Sequence, residues 1–486
     1  DEDLNEGDVN QLLADAGWDI VRLRLYNNPG KGRGDGNYYC LEDYQTVDDL
    51  LAQAKRAKEK GMQIQFSFHY SDYWSNGGVQ IIPTSWQEEI KGMSAAEAVT
   101  KLEELLYDYT YDVMVQLIEN GTTPEYVSLG NEMQSGLLYP LGKANDDCWP
   151  NLARFLRAGY TAVKNACKDN SQPESQVILH LDDAGNEWKY TGFFDNCEKY
   201  GDELGGPLYD VIGTSYYPFW TKKSVAPIIE FCDMLIERYG KDIILMETGF
   251  AFDNYLPGST TGRGQLYHNI PYSGNLEGYG DTSPEMQREF MIELFNGLKT
   301  IGLGHESGAR CIGDLYWDPI LVKQDGVGWA IFEDTDQSDI SAVANTTLFG
   351  FDHQLLPVMD AYRNNTEGGT SGTVSGKIVN AAGQGVAGVT FTLGWQGQSS
   401  TVTTDAYGTF RISGLAAGNG TPTVTGITAS PNSITVTTGE TTDLTLTIQT
   451  AVLTGTVKDD AGVPLTNAVV TAVSSGVKQE TAADAS

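Results

Sequence analysis

No run of eighteen or more apolar residues occurs in the 486-residue chain, so nothing in it reads as a membrane-spanning helix. The N-terminus lacks the basic stretch and apolar core of a secretory leader, an absence that maturation or truncation would equally produce. Positive charge is scarce as well. Thirty-one Lys and Arg residues stand against 65 Asp and Glu, a formal net charge of -34. That balance repels nucleic-acid phosphates and an anionic membrane surface, and a neutral polymer or small molecule fits better as a partner. The six cysteines, Cys40, Cys148, Cys167, Cys197, Cys232 and Cys311, are widely spaced, with no C-x-x-C pair. They read as mostly free, buried thiols, with one or two disulfides left open. Aromatic residues become rare beyond Glu367, where Thr, Val and Gly take over.

A chain of this length suggests about three domains of roughly 150 residues, although single α/β barrels run longer. The composition shift divides it into residues 1–366, 372–450 and 452–486. The stretch from Gly376 (Gly-Lys-Ile-Val-Asn-Ala-Ala-Gly) and that from Gly455 (Gly-Thr-Val-Lys-Asp-Asp-Ala-Gly) are two copies of one unit. Alternating Val/Thr stretches broken by Gly-rich turns predict a small β-sandwich for the first. The second copy stops before the strand that would match Thr409-Phe-Arg-Ile412 and is expected to be truncated.

Before about Arg363, apolar strand-like runs alternate with helical ones, the pattern of βα units around a parallel sheet. Strands are expected at 20–26, 62–69, 124–131, 176–182, 209–217, 242–247 and 311–317. Amphipathic stretches from Val47 and from Phe290 supply outer helices. Seven strands with a helix-like start and no strand ahead of it predict an α/β fold, a (β/α)8 TIM barrel whose first strand is missing from the chain. Glu132 and Glu247 both close apolar runs. Residues at the C-terminal ends of barrel strands face the active-site mouth, and two carboxylates there suit the acid and nucleophile of glycoside hydrolysis.

Several longer motifs occur in order: Val21-Arg-Leu-Arg-Leu-Tyr-Asn-Asn-Pro29, Phe68-His-Tyr-Ser-Asp-Tyr-Trp74 with Gln80, Pro83 and Trp86, Leu129-Gly-Asn-Glu-Met-Gln-Ser-Gly-Leu-Leu-Tyr-Pro140, Asp210-Val-Ile-Gly-Thr-Ser-Tyr-Tyr-Pro-Phe-Trp220, Glu247-Thr-Gly and Tyr316-Trp-Asp-Pro319. Together they resemble glycoside hydrolase family 53, the endo-β-1,4-galactanases, over nearly all of residues 1–363. The resemblance implies a retaining enzyme acting on β-1,4-galactan side chains of pectin, with Glu132 as acid/base and Glu247 as nucleophile. Substrate-binding residues are expected at Arg24, His69, Asp72, Trp74, Trp86, Asn131, Asp182, Tyr217, Trp220 and Trp317. Arg24 and Tyr217 are expected to hold Glu247 ionised, and Asn131 to bond the sugar 2-hydroxyl. The chain departs from the family pattern at Ser75-Asn76-Gly77, at Tyr139 and at Asp318-Pro-Ile-Leu321.

No cofactor is required for this chemistry. Bacterial members of the resembled family bind calcium in the region matching Phe250 to Ser283. Asp253, Asn254, His268, Asn275 and Asp281 offer ligands there, yet no fixed calcium-loop order is present, and a substrate loop is the competing reading. A secreted or cell-surface monomer is expected. Its C-terminal units resemble carboxypeptidase-regulatory-like modules, in a spacer, anchoring or weak carbohydrate-binding role. Residue by residue, simpler readings stand beside these: Asn131-Glu132 as a helix N-cap, His69 and the tryptophans as core, and Arg24 as a structural ion-pair partner. At the level of the whole chain, the alternatives are the same barrel acting on mannan, xylan or β-glucan, or a non-catalytic carbohydrate-binding protein.

Overall fold

The protein is described here from a computed structural model covering residues 9–29, 44–253, 282–320 and 345–365, together with most of 371–482 in shorter stretches. It divides into two compact units, one built on the barrel sheet and one containing the all-β region.

The first unit is organised by one seven-stranded parallel sheet. Its strands, in spatial and chain order, are Ile20–Leu25, Gln63–Phe68, Tyr126–Leu129, Gln176–Leu181, Val211–Tyr216, Asp242–Thr248 and Cys311–Tyr316. All seven lie where the apolar runs predict them. Each is rich in Val, Ile, Leu or Phe because both faces are covered, outside by helices and inside by barrel packing. The sheet is nearly closed: its first and last strands come within 8 Å of each other between Cα atoms without pairing. The helix expected at the start is Val9–Asp15, and the residues ahead of Val9 lie outside the described ones.

Covering helices begin where the side chains can satisfy the free backbone N–H groups of the first turn. Thr46 caps Val47–Glu59 by accepting from the Asp49 N–H, with Asp48 and Asp49 at the positive end of the helix and Arg56 and Lys58 in its last turn. Ser94 and Glu97 form a reciprocal capping box on the long Ala95–Glu119 helix, which buries Leu102, Leu106, Val113 and Leu117.

Inside the barrel, Ile178, Val211, Ile244, Met246 and Leu315 pack as an apolar floor. Above it the interior turns polar. Strict alternation from Ile244 and Met246 would send Glu247 outward. The pairing with the neighbouring strand slips, however, so that Thr214 opposes Leu245 while Ser215 opposes Glu247. This irregularity turns the glutamate inward, a common use of bulges beside functional sites.

In the second unit, Ser371–Val379 lies between Thr409–Ala416 and Thr441–Thr447 in one sheet, and Thr390–Trp395 lies between Gln398–Thr403 and Gly418–Val424 in another. Phe391 and Phe410 stack at 4.0 Å between ring centroids, within a core that also holds Ile378, Leu393, Ile412 and Leu446. This is the sandwich expected of the first β-module. Of the second, the described residues include the antiparallel pair Val469–Ser474 and Val477–Ala482.

Candidate active site

Four strand ends turn through the left-handed region on residues other than glycine: Tyr70 (φ 42°), Glu132 (φ 46°), Asp183 (φ 58°) and Asp318 (φ 46°). Such conformations cost on the order of 1–3 kcal/mol each and persist where surrounding bonds enforce them. They ring the C-terminal mouth of the barrel. Between them opens a cleft of about 430 Å³, whose wall includes Trp74, Glu132, Asp182, Tyr217, Glu247 and Trp317.

The Tyr126–Leu129 strand stops earlier than the apolar run suggests, and Gly130 (φ 98°) starts the turn that presents Glu132. No helix follows Glu132 directly; the next begins at Trp149, which removes the N-cap reading. Glu132 Oε1 accepts a hydrogen bond from Ser215 Oγ at 2.9 Å. Glu247, 4 % exposed, receives Arg22 Nη1 at 2.8 Å and Tyr217 Oη at 3.1 Å. One carboxylate oxygen of each glutamate and one ring nitrogen of His180 lie within 4.8 Å of one another. Ser215 already bonds both Glu132 and His180, and Arg22 bonds Glu247, so each carboxyl has its own protein donor and the group its own internal cation.

The two carboxyls have different surroundings. Burial, then the Glu247 charge and then Asp182 push Glu132 up to about 8. Glu247 has instead a guanidinium and a phenol as donors, the partners a buried carboxylate requires. One group is placed to hold a proton near neutral pH, and the other has a donor on each of its oxygens. The facing oxygens of the two carboxyls lie within 4.8 Å, and retaining glycosidases keep their carboxyl groups roughly 5–5.5 Å apart where inverting ones keep roughly 6.5–9.5 Å.

The family described as Glycosyl hydrolase family 53 matches residues 1–362, and the carboxypeptidase regulatory-like domain matches residues 373–449.

The chain belongs to glycosyl hydrolase family 53.

Among curated relatives, an arabinogalactan endo-beta-1,4-galactanase of Thermothelomyces thermophilus is 27% identical over 74% of this chain and 91% of its own. One of Cellvibrio japonicus is 30% identical over 65% of this chain and 74% of its own. Among solved structures, the family 53 catalytic domain of Ignisphaera aggregans superposes with a TM-score of 0.61 at 26% identity, covering 74% of this chain and 89% of that one.

Within this family 53 barrel, the expected site residues separate into two groups. Glu132, Glu247, Trp74, Asp182, Tyr217, Trp220 and Trp317 all line the cleft. The rest do not. Arg24 pairs with Asp318 at 3.1 Å and lies over the Trp74 ring, so the expectation that it holds Glu247 is corrected. Arg22 does so instead. Both arginines sit on the same strand face, but Arg22 is one rung deeper, and its long side chain reaches up to Glu247 and to Asn131 Oδ1 at 2.7 Å. Asp72 accepts the Asn28 and Thr84 backbone N–H groups at 3.0 and 2.7 Å, which makes it a loop staple. Trp86 is buried against Tyr70 and Tyr109 and belongs to the core. His69 is fully buried between Tyr26 and Trp74, and among the described residues neither ring nitrogen has a hydrogen-bond partner. Asn131 lies beneath the cleft surface. Its carbonyl takes Arg22 and one amide hydrogen goes to Ser75 O, which leaves one hydrogen uncommitted.

Arg22, Ser215, His180 and Lys189 are site residues that the sequence reading missed. A visible signal existed for His180, a lone polar residue inside Val177-Ile-Leu-His-Leu181, and for Arg22, a charge inside an apolar strand. Lys189 reaches Asp182 at 2.5 Å and Asp183 at 3.1 Å on the cleft wall. Of the candidate calcium ligands, Asn254, His268, Asn275 and Asp281 lie outside the described residues. Asp253 is described, and one carboxylate does not make a calcium cage. Cys148, Cys167, Cys197, Cys232 and Cys311 are free thiols, three of them buried, and Cys40 lies outside the described residues.

The split between core and cleft tryptophans has a measurable consequence. Trp86→Ala should cost about 3–5 kcal/mol of stability, seen as a lower denaturation midpoint, with KM for polymer unchanged in the folded fraction. Trp220→Ala, at a residue 46% exposed on the cleft wall, should raise KM and leave the midpoint nearly untouched. The reverse pattern would overturn the assignment.

Proposed function

We propose that this family 53 hydrolase is a secreted, retaining endo-β-1,4-galactanase that cuts the galactan side chains of pectin. The observation that carries the reading is the Glu132–Glu247 pair, with oxygens within 4.8 Å and opposite electrostatic surroundings. In the first step Glu132 protonates the glycosidic oxygen while Glu247 attacks the anomeric carbon and forms a glycosyl-enzyme ester. In the second, Glu132 takes a proton from water, which displaces Glu247 and restores the original anomeric configuration. Trp74, Trp220 and Trp317 offer faces for the apolar sides of galactose rings, and Asp182 offers an acceptor to hydroxyls.

The names of the curated relatives support galactan over other β-glycans. Of the departures from the family motifs, Asn76 and Gly77 line the cleft, and a change in subsite contacts would fall there. An external location follows from the substrate, because a polymer of this kind is met outside the cell; activity in cell-free medium or on intact cells checks it. Digestion of potato galactan, mannan and xylan, with products separated by chromatography, tests the specificity. Short galacto-oligosaccharides from galactan alone are expected, and comparable cleavage of mannan or xylan would overturn the assignment.

A further inference from the structure

We infer that His180 and Ser215 are positioning residues for Glu132: a chain of hydrogen bonds from His180 Nε2–H to Ser215 Oγ, and from Ser215 O–H to Glu132 Oε1, keeps Oε1 an acceptor and leaves the acidic proton on Oε2. The inference rests on reading Glu132 as the acid.

The distances are 2.7 Å for His180 Nε2 to Ser215 Oγ and 2.9 Å for Ser215 Oγ to Glu132 Oε1. A serine hydroxyl has one hydrogen. Spent on Glu132, it leaves the serine only able to accept from His180, so the imidazole must carry its proton on Nε2. The other ring nitrogen agrees with that tautomer. His180 Nδ1 is buried with no partner among the described residues, so it holds a bare lone pair, whereas the opposite tautomer would bury an N–H with no acceptor there. His180 is fully buried, and burial together with the Arg22 and His69 charges pushes it well below the ordinary histidine range. It therefore stays neutral and acts as a fixed donor; it is no base for the Glu132 proton.

His180 also holds Glu132 through the main chain. Its carbonyl accepts the Met133 N–H at 2.8 Å, while the Ser215 carbonyl accepts the Ala184 N–H at 3.0 Å. These bonds tie together three successive strand ends around a glutamate at φ 46°, a conformation that needs such support. With Oε1 facing Ser215, Oε2 is the oxygen left to the sugar. The remaining charged or titratable groups facing Glu132 are Glu247, Asp182 with its partner Lys189, Arg22 and Tyr217.

A hydrogen bond from serine is stronger to a carboxylate than to a carboxylic acid, so the clamp also eases departure of the proton in the first step. Removing it should move the Glu132 titration to higher pH. The test compares Ser215→Thr with Ser215→Val, which have the same shape and differ by the hydroxyl, in kcat and in the pH profile of kcat/KM on galactan. Ser215→Val is expected to lower kcat about ten- to hundredfold and to shift the alkaline limb upward by about one pH unit, while Ser215→Thr stays close to the native profile. His180→Phe, which keeps a flat ring without the donor, should shift the limb in the same direction and add nothing further to Ser215→Val. Equal behaviour of the Thr and Val variants, whether both native-like or both impaired, would overturn the clamp. Glu132→Gln separates the two levels: if it keeps both the rate and the alkaline limb, the acid reading itself fails, and if it loses them while Ser215→Val does not, only the clamp fails.

Discussion

Replacing Glu247 by alanine is expected to abolish galactan hydrolysis by several orders of magnitude while the protein still melts cooperatively. The carboxylate would supply the nucleophile of a two-step displacement, and without it no glycosyl-enzyme ester forms. Folding should tolerate the change better than loss of a buried charge usually allows, because Arg22 keeps Asn131 Oδ1 and the Met246 carbonyl as partners. Azide supplies the decisive measurement. A small anion entering the space left by the side chain should attack the anomeric carbon of an activated aryl galactoside and give the galactosyl azide of inverted configuration. Turnover close to that of the native enzyme, or an azide product of retained configuration, would remove Glu247 from this role.

The second large effect is expected at Glu132. Below a pH of about 8 the group is protonated and can act as an acid; as pH rises through that value the proton is lost, and kcat/KM should fall. Glu132→Ala should remove this alkaline limb and collapse turnover of natural galactan by a factor on the order of 10²–10⁴. An aryl galactoside with a good leaving group needs little protonation and should lose far less in its first step. Equal losses on both substrates, or an alkaline limb that survives in the variant, would show that the proton comes from elsewhere.

The barrel strands were legible because each is a contiguous apolar run, a property of near neighbours that both-sided burial imposes on a parallel sheet. Glu132 and Glu247 were legible for the same reason: a carboxylate at the end of such a run is conspicuous. The orientation of Glu247 was not, since simple alternation directs it away from the interior and only the slipped pairing opposite Ser215 brings it round. The motifs around Phe68–Trp74 and Trp86 announced the site as a whole without sorting it. Trp74 faces the cleft, Asp72 staples the loop, and Trp86 fills the core behind it. All three types of residue belong to one motif because building a loop and presenting a ring from it are parts of one local structure. Arg22 and Arg24 carry the same pattern signal on the same strand face, and nothing in their spacing says which reaches Glu247.

Sequence alone therefore determined the fold class, the family resemblance, the first β-module and the pair of carboxylates. Tertiary structure decided which arginine meets Glu247, which oxygen of Glu132 is held by Ser215, and how close the two carboxyls stand. The reason is physical. Propensity, periodicity and motif spacing act between residues a few positions apart, whereas charge and hydrogen bonding act through space, over separations that barrel closure sets. Arg22 meets Asn131 across 109 positions and Glu247 across 225, and only the folded barrel makes them neighbours.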